Sequence, residues 1–406
     1  MSTEWDIDHI DYDVEPNADE NADASNTPEN DYEEHGDYSD GPMLVNDSDN
    51  TKEHNTCNPR SDFYAFSLKT EILNAIEDCG FEHASEVQRI CIPQAVIGKD
   101  IICQASSGLG KTAVFVLSTL QQAEPIASIC SALVLCHTCE LALQIYTEYK
   151  RFSKHMPDIN IAVFFGGRPF YKDTDLLQNK STHPHIIIST PGRLKALMRW
   201  GNLRLDGLRT LVLDECDQMI GQPDIYRDVQ DIFRCTPQNQ RQFMVFSATL
   251  SEDIKQICKA EMREPIEVQI KGTISKTLRQ DYIVLNEQEK INRLHDLLGE
   301  VPFRQAIIFV KSAGRSTWVN RSLQKRGFYS IEIHSGISQD DRIHCYNQLK
   351  HSDIMRVCVA TDVFSRGINL EGVDLVINYD MPANADSYLH RVGRAGRSIR
   401  ATGKYL

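Results

Sequence analysis

The residue types with the clearest chemical potential lie in a glycine-rich segment, Ala105–Thr112, which follows the apolar run Ile101–Cys103 and precedes a helical-looking stretch. A strand, a glycine-rich loop and a helix are the setting of a phosphate-binding loop, where backbone N–H groups and the helix N-terminus contact phosphates. Lys111 would reach the β- and γ-phosphate oxygens, and Thr112 would ligate Mg²⁺. A glycine-rich turn with a surface lysine is the alternative, because Ala105 replaces the first glycine of the general pattern. The residues expected to hold the nucleotide here are Ser107, Gly108, Gly110, Lys111 and Thr112.

Two carboxylates follow a second apolar run, Leu211–Leu213. Asp214 and Glu215 end this predicted strand, and the carboxyl ends of parallel strands border the crevice where open α/β sheets bind ligands. Asp214 would then hold Mg²⁺, and Glu215 would orient the attacking water. An exposed acidic turn is the alternative for these two residues alone. Together with the glycine-rich loop they favour hydrolysis of a nucleoside triphosphate such as ATP.

Arginines recur at every third position near the end of the chain, at Arg391, Arg394 and Arg397, with glycines between them. Planar guanidinium groups stabilise charge on a transferring phosphoryl group, and such an arginine finger often comes from a separate domain. A basic surface helix is the alternative. If ATP binds between two domains, closure assembles the site and opening takes it apart, which would couple hydrolysis to a conformational cycle.

Short apolar runs alternate with helical stretches in two successive series, which predicts two parallel sheets with helices on both faces. The first series is Ile101–Cys103, Ala132–Leu135, Ile161–Phe165, Ile186–Ile188, Leu211–Leu213 and Phe243–Phe246. The second is Tyr282–Leu285, Ala306–Val310, Val357–Val359 and Leu375–Ile377. A polar stretch between them predicts the linker. The expected α/β domains are therefore residues 61–270 and 279–406, joined by a linker at 271–278.

The charge is distributed very unevenly. The 406 residues carry a formal charge of −14, yet 17 of the 57 acidic residues and none of the 43 basic ones lie in residues 1–50. The remainder is therefore slightly basic, which is compatible with a nucleic-acid partner. An acidic segment poor in apolar residues cannot offset its ordering entropy, so residues 1–60 are predicted to be a disordered tail.

The cysteine pattern and the absence of targeting signals favour a reducing compartment. The twelve cysteines are scattered, and Met1–Asp6 lacks the features of a secretory signal. Cys136 and Cys139 form a Cys-x-x-Cys pair, but no second pair completes a tetrahedral metal site, so we interpret both as structural. No apolar run approaches the ~18 residues of a membrane-spanning helix.

In order and spacing, these motifs resemble those of the DEAD-box RNA helicases. Further motifs that carry the resemblance are Gly80–Gln88, Gly166–Gly167, Thr190–Arg193, Ser247–Thr249 and His390–Arg397. The resemblance narrows to the DECD subgroup, which includes a helicase that couples pre-mRNA splicing to mRNA export, through Cys216, Cys136–Thr138, Phe309–Ser312 and Asn378–Pro382. It implies two RecA-like domains, each a doubly wound parallel sheet, that hydrolyse ATP with Mg²⁺ in response to RNA.

The resemblance also implies roles in nucleotide binding and coupling. Phe63 and Gln88 would hold the adenine, Asn369 the ribose, and Arg394 and Arg397 would be the arginine fingers. The implied catalytic set is Lys111, Asp214, Glu215, Arg394 and Arg397. The residues implied to couple hydrolysis to domain closure are Ser247, Thr249 and His390.

RNA would be bound through its phosphates, by resemblance, with little dependence on base sequence. The implied contacts in the first domain are Gly167, Thr190, Gly192 and Arg193. Those in the second domain are Gln339, Arg342 and Thr361.

Three features depart from the family pattern. Cys139 stands where the family has arginine and Asn369 where it has aspartate, so each position lacks a charge. RNA binding and ATP-driven closure are expected to be weaker for this reason, and Cys139→Arg is expected to strengthen RNA binding. The chain stops at Leu406, where the resemblance implies a further strand and helix, so it is either a fragment or has a second domain without its closing elements.

Three function classes follow from these patterns. The intact catalytic set favours an active ATP-dependent RNA helicase over an RNA-binding clamp with a weakened ATPase, and the Gln88 motif disfavours a DNA helicase. The resemblance implies a nuclear protein with a monomeric core and no membrane association. It also implies the spliceosome, an RNA-binding export adaptor and a multi-subunit export complex as partners.

Overall fold

The first of two parallel sheets is built from near-continuous apolar strands. A computed structural model describes residues 62–238, 240–270, 278–352, 354–366, 370, 372–395 and 404–405. The strands of this sheet are β1 (Ile101–Ala105), β2 (Ala132–Leu135), β3 (Ile161–Phe164), β4 (Ile186–Ser189), β5 (Thr210–Asp214), β6 (Gln242–Ser247) and β7 (Ile266–Ile270). Their order is β3-β4-β2-β5-β6-β1-β7, with every pair parallel. Because β1 lies beside β6, and β6 beside β5, the sheet brings the glycine-rich loop and the carboxylate pair to one edge.

Helices connect these strands on both faces of the sheet. They are α1 (Thr70–Asp78), α2 (Glu86–Val96), α3 (Lys111–Gln122), α4 (Cys139–Phe152), α5 (Phe170–Gln178), α6 (Pro191–Arg199), α7 (Cys216–Ile220), α8 (Pro223–Arg234) and α9 (Glu252–Ala260). A short 3₁₀ helix, Asp62–Phe66, precedes them. Several helices begin where the sequence offers a cap: Thr138 and Ser251 accept hydrogen bonds from the backbone N–H three residues on.

A second parallel sheet forms the other domain. Its strands are β8 (Arg279–Gln280), β9 (Gln305–Phe309), β10 (Ser330–Ile333), β11 (Val357–Ala360), β12 (Val373–Asn378) and β13 (Lys404–Tyr405), in the order β10-β11-β9-β12-β13-β8. Its helices are α10 (Glu287–Glu300), α11 (Ala313–Lys325), α12 (Gln339–His351) and α13 (Ala385–Val392), with a 3₁₀ turn at Asp362–Phe364. Separate apolar clusters pack on its two faces, as expected for a sheet covered by helices on both sides.

The sequence predicted the fold class correctly and most of the strands within a residue or two. One predicted strand, Tyr282–Leu285, is wrong. Strand β8 ends at Gln280, since β13 pairs with it only at Arg279 and Gln280, and Tyr282 beyond it is 88% exposed. Apolar composition alone cannot make a strand where no described neighbour completes the ladder. Strands β7, β8, β10 and β13 were not predicted.

Some predictions fall outside the described residues. Residues 1–60 and the linker residues 271–277 are among them, so the domain boundaries stay predictions. Within the part of the chain that the structure describes, no helix is both long and apolar enough to cross a bilayer. The cysteines found there are free thiols.

Candidate active site and RNA-binding surface

The glycine-rich loop depends on backbone conformations that favour glycine. It joins β1 to α3, and Gly108 and Gly110 adopt φ values of +88° and +80°, which favour glycine. A Cβ atom at Gly110 would also collide with the side-chain amide of Gln88. The buried ammonium of Lys111 folds into the loop, where Nζ donates a hydrogen bond to the Ala105 carbonyl at 2.7 Å. Thr112 follows in the first turn of α3.

Gln88 contacts the same loop from α2. Its side chain closes a capping box: Oε1 accepts a hydrogen bond from Ser85 N at 2.9 Å, while Ser85 Oγ accepts one from Gln88 N. Gln88 Nε2 donates to the Gly110 carbonyl at 3.4 Å, and Ser85 Oγ donates to the Leu109 carbonyl at 2.8 Å. The predicted adenine-reading residue is therefore also a support of the phosphate loop.

Phe63 lies in a packed aromatic cluster. Its ring makes edge-on contacts with Phe66 and Phe81, at centroid distances of 5.7 and 6.5 Å, and the residue is only 2% exposed. A ring so enclosed offers no open face for an adenine to stack on. In this arrangement, Phe63 supports the segment that precedes Gln88, and its predicted stacking role would require the cluster to open.

The carboxylate pair lies at the carboxyl end of β5. Glu215 has a left-handed backbone with φ of +52°, an uncommon conformation for a residue other than glycine and one that is concentrated at functional sites. Asp214 Oδ1 accepts a hydrogen bond from Glu215 N at 3.1 Å. Among the described residues, no group hydrogen-bonds to Glu215 Oε2, although that atom is buried. A buried carboxylate oxygen with no protein partner is suited to accept a hydrogen bond from water or substrate.

The charges around the pair favour an ionised Glu215. Burial alone would raise the pKa of Glu215, but the charges of Lys111, of His390 in its protonated form and of Arg394 outweigh it and lower the pKa to about 2. Burial and the negative charge of Glu215 raise the pKa of Asp214 to about 7. Glu215 is therefore negatively charged at neutral pH and can orient a water molecule.

The donor set suits Mg²⁺ bound together with a nucleotide. Thr112 offers a hydroxyl and Asp214 a carboxylate, and hard oxygen ligands of this kind are the ones Mg²⁺ prefers. Nowhere in the described ranges do three or more His, Cys, Asp or Glu side chains form a cage for a metal ion. The remaining ligands would thus be phosphate oxygens and water, as is usual for Mg²⁺ in nucleotide sites.

Asp217 links the carboxylate motif to both domains. Its Oδ1 accepts a hydrogen bond from Ser247 Oγ at 2.7 Å, and its Oδ2 accepts one from Thr249 Oγ1 at 3.3 Å. Arg366 of the second domain forms an ion pair with the same carboxylate. Thr249 Oγ1 also lies 3.4 Å from His390 Nε2. The three predicted coupling residues thus belong to one network that crosses between the domains.

One of the predicted arginine fingers reaches the phosphate loop. Arg394 Nη2 donates a hydrogen bond to Ser107 Oγ at 2.7 Å, and Arg394 is 2% exposed. Arg391, in contrast, is held inside its own domain by Asp362, by Asn378 and by the Asp380 carbonyl. Arg397 and Asn369 lie outside the described residues, so their roles stay predictions.

The RNA-contact residues predicted in the first domain lie in the loop after β3 and at the N-terminus of α6. Gly167 follows β3, Thr190 is the N-cap of α6, and Gly192 is exposed in the first turn of that helix. Arg193 is engaged within the protein: Nε donates to Asp173 Oδ2 at 2.7 Å and Nη2 to the Arg168 carbonyl at 3.1 Å. Arg193 therefore fixes the loop after Gly167 and is not fully available to a phosphate.

Two of the residues predicted in the second domain, Gln339 and Arg342, face the first domain from the start of α12, whereas Thr361 follows β11. The Gln339 side chain packs on Gly167, where a Cβ would lie 3.0 Å from Gln339 Cβ. Arg342 Nε lies 3.0 Å from Glu140 Oε1. Thr361 Oγ1 is buried and has no hydrogen-bond partner among the described residues. The contacts of Gln339 and Arg342 place the start of α12 against the first domain.

The expectation for Cys139 needs correction. The thiol is 1% exposed, and Arg342 Nη2 lies 3.2 Å from Cys139 Sγ. Burial, with the negative charge of Glu140, raises the thiol pKa to about 12, so the group is neutral. In this arrangement, position 139 faces Arg342 and not an open RNA surface, and the prediction for Cys139→Arg loses its structural basis.

Comparisons with known proteins decide the family. Residues 85–257 match the pattern described as DEAD/DEAH box helicase, and residues 289–398 match the helicase conserved C-terminal domain. The chain belongs to the DEAD-box family of ATP-dependent RNA helicases. It is 60% identical to the ATP-dependent RNA helicase SUB2 of Pyricularia oryzae over 338 residues, which cover 82% of this chain and 77% of that protein. It is 54% identical to the SUB2 of Yarrowia lipolytica over 82% of this chain and 76% of that protein.

Solved structures of DEAD-box helicases share its fold. The structure of S. cerevisiae Dbp5 bound to RNA and ADP BeF3 aligns with a TM-score of 0.77 and 26% identity, over 85% of this chain and 88% of that one. Mss116p bound to ssRNA and AMP-PNP aligns with a TM-score of 0.75 over 86% of this chain and 76% of that one. At 21% identity, the second likeness concerns the fold alone.

Two residues of this DEAD-box chain matter more in the structure than the sequence indicated. Asp217 was not assigned a role from the sequence, yet it receives contacts from Ser247, Thr249 and Arg366. Glu140 was not singled out, although it pairs with Arg342 across the domains. Both are acidic residues close in sequence to predicted site residues, and only the fold shows which cations they meet.

Proposed function

We propose that this DEAD-box chain uses ATP to remodel RNA and RNA–protein complexes, and that it acts in the nucleus in pre-mRNA splicing and mRNA export. The observation that carries the ATP-driven part is the 2.7 Å hydrogen bond from Arg394 to Ser107. It brings a guanidinium group of the second domain onto the phosphate loop of the first, where it can stabilise charge during phosphoryl transfer. ATP would therefore be hydrolysed when the two domains are together.

The residues of the site divide the chemistry between them. Lys111 exchanges its bond to the Ala105 carbonyl for phosphate oxygens, because an ammonium group in a site with little water binds them strongly. Glu215 accepts a hydrogen bond from the attacking water at its unpartnered Oε2 and aligns that water with the γ-phosphate. Mg²⁺, when bound with ATP, neutralises phosphate charge, and Thr112 and Asp214 would hold it.

Hydrolysis would be linked to RNA through Asp217. That carboxylate contacts Ser247 and Thr249 of the first domain and Arg366 of the second, so separation of the domains breaks the network. RNA bound to Gly167, Thr190 and Gly192 on one domain and to Gln339 and Thr361 on the other would favour the closed arrangement. These positions suit phosphate and sugar contacts, which carry little sequence information.

ATP hydrolysis with and without single-stranded RNA tests this proposal most directly. We expect poly(U) RNA to raise ATP turnover and single-stranded DNA of equal length to raise it much less. Lys111→Ala should remove turnover both with and without RNA. RNA binding without any stimulation of turnover would favour the RNA-clamp alternative. Equal stimulation by DNA would favour the DNA-helicase alternative.

The cellular part of the proposal rests on identity to the SUB2 helicases and on the DECD motif. We expect the full chain, carrying a fluorescent tag, to concentrate in the nucleus. It should co-purify with an RNA-binding export adaptor, a multi-subunit export complex and spliceosomal components. A uniformly cytoplasmic signal, or loss of these partners from the purified complex, would contradict this assignment while leaving the ATPase activity untouched.

A further inference from the structure

Three side chains form a row along α6, starting from the predicted RNA-binding surface. Arg193 lies in the first turn of the helix, and its guanidinium carbon is 4.8 Å from the centre of the Phe170 ring. Phe170 in turn packs against Trp200, with ring centroids 6.2 Å apart. Residues 193 and 200 are seven positions apart, which places them on one face of the helix, and Phe170 covers the space between them.

The outer end of this row is an open aromatic surface. Trp200 is the C-cap of α6 and is 75% exposed. Single exposed apolar residues are common, but this one is supported from beneath by Phe170. Phe170 is held in turn by Arg193, which the buried Asp173 and the Arg168 carbonyl fix in place. The Trp200 indole is thus an accessible ring that packs on a fixed side chain, Phe170.

We propose that Trp200 is a base-stacking subsite for single-stranded RNA, additional to the phosphate contacts of the core. The proposal rests on the proposed function, because it extends the surface formed by Gly167, Thr190 and Gly192. Aromatic side chains beside a backbone-binding track bind successive bases by stacking, with little preference among bases. Trp200 would add affinity for longer strands without adding sequence specificity.

The position of Trp200 favours RNA over a protein as the occupant. Phe170 follows Gly167 by three residues, and Thr190 begins the helix that Trp200 ends, so the ring continues the elements that carry the predicted phosphate contacts. At 1.5 Å per residue, α6 separates Thr190 from Trp200 by about 15 Å. A strand that leaves Thr190 along the helix reaches the indole within a few nucleotides.

Tryptophan fluorescence gives a direct test, because the chain contains only three tryptophans, Trp5, Trp200 and Trp318. The full chain with Trp5→Phe and Trp318→Phe reports on Trp200 alone. We expect its emission to fall when a 12-nucleotide oligouridylate binds in the presence of a non-hydrolysable ATP analogue. In a matched variant that keeps only Trp318, which is half-exposed in the second domain, the emission should not change when RNA binds. Unchanged Trp200 emission at saturating RNA would overturn the proposal.

Affinity measurements separate stacking from general RNA binding. Trp200→Ala should weaken binding of the 12-nucleotide strand by about fivefold or more, and Trp200→Phe should restore most of the loss. An oligonucleotide with abasic sites should bind the wild-type protein and Trp200→Ala with equal affinity. Tyr329→Ala, which removes an exposed ring of the second domain, should have no effect and serves as the control.

The possible outcomes distinguish this proposal from the proposed function. If wild-type protein binds RNA and RNA stimulates its ATPase, but Trp200→Ala binds the strand as tightly as wild type, the stacking subsite is wrong and the proposed function stands. The ring would then be better assigned to a protein partner. If the wild-type chain binds no RNA, the proposed function itself fails.

Discussion

Arg342 of the second domain lies against Glu140 of the first, with 3.0 Å between Nε and Oε1. Both residues are buried, and the Arg342 side chain also contacts Cys139 Sγ. Removal of one partner from a buried ion pair leaves an uncompensated charge, which is costly. A protein of two domains can avoid that cost by opening, which exposes the charge to water. This pair therefore links domain closure to a single electrostatic contact.

We expect Glu140→Gln and Arg342→Ala each to reduce RNA-stimulated ATP turnover by about tenfold or more, because loss of either partner costs up to ~3–5 kcal/mol when the domains are closed. The double variant should lose little more than either single variant, since both remove the same interaction. Turnover measured through this double-mutant cycle tests the contact. Fully additive losses would show that the two residues act independently.

Lys111→Ala and Glu215→Gln should impair ATP hydrolysis in different ways. Lys111→Ala removes a cation that binds phosphates, so we expect turnover to fall by about a hundredfold or more. Glu215→Gln keeps the shape of the side chain but removes the charge that orients water, so ATP binding should persist while the chemical step is blocked. Equilibrium binding of a fluorescent ATP analogue, beside turnover, separates the two. Lys154→Ala, which changes an exposed lysine paired with Asp78, is the matched control.

Substitutions of Arg394 and Arg391 should have different effects, although both arginines belong to the same series at every third position. Arg394→Lys should lower the turnover rate with little effect on thermal stability, because a lysine does not reproduce the forked guanidinium that reaches Ser107. Arg391→Lys should lower the melting temperature, because the buried Arg391 side chain bonds to Asp362, Asn378 and the Asp380 carbonyl within its own domain. Calorimetry and ATPase rates measured on both variants test the distinction. Equal destabilisation by the two changes would contradict it.

The free energy of unfolding should fall as the pH is lowered from 6.5 to 4, in part because of His137. Burial lowers the pKa of His137 from 6.5 to about 4. Below pH 6.5 the unfolded chain therefore takes up a proton that the folded protein accepts only near pH 4, so the free energy of unfolding falls as the pH falls. His137 is partly exposed as a residue, so we expect a contribution of about 2 kcal/mol.

The measurement for His137 is a series of urea denaturations across this pH range. His137→Gln should give a flatter pH dependence than wild type between pH 6.5 and 4. Two other groups contribute in both proteins. Burial raises the pKa of Asp214 to about 7, which opposes the effect of His137. Burial lowers the pKa of His390 to about 4, which acts in the same direction as His137. Parallel curves for the two proteins would exclude His137 as a source of the dependence.

The strands and loops of the site could be predicted because their signals are local. The run before Ala105–Thr112 and the run before Asp214 are apolar and short, and parallel pairing places their ends together. The partners of individual side chains were not predictable in this way. The spacing of Arg391 and Arg394 is the same as that of Arg394 and Arg397, so the sequence does not indicate which guanidinium turns inward.

Long-range packing explains the remaining differences. Phe63 matched an aromatic position implied by resemblance, but its contacts with Phe66 and Phe81 enclose the ring. Cys139 was expected to weaken RNA binding because it lacks the family's charge, yet α12 of the other domain covers it. In both cases the residue type was informative, but the environment includes residues distant in sequence, Phe81 for Phe63 and Arg342 for Cys139, which no local pattern specifies.

The contact of Gln88 with the phosphate loop has a consequence for nucleotide selectivity. Because Gln88 Nε2 bonds to the Gly110 carbonyl and Ser85 Oγ to the Leu109 carbonyl, the residue that would read the base also shapes the backbone that binds the phosphates. A nucleotide whose base cannot engage Gln88 could still place its phosphates in the loop. Discrimination against guanine or pyrimidine nucleotides would then appear in the rate of the chemical step more than in the affinity, since an incorrect base leaves the loop in its resting geometry.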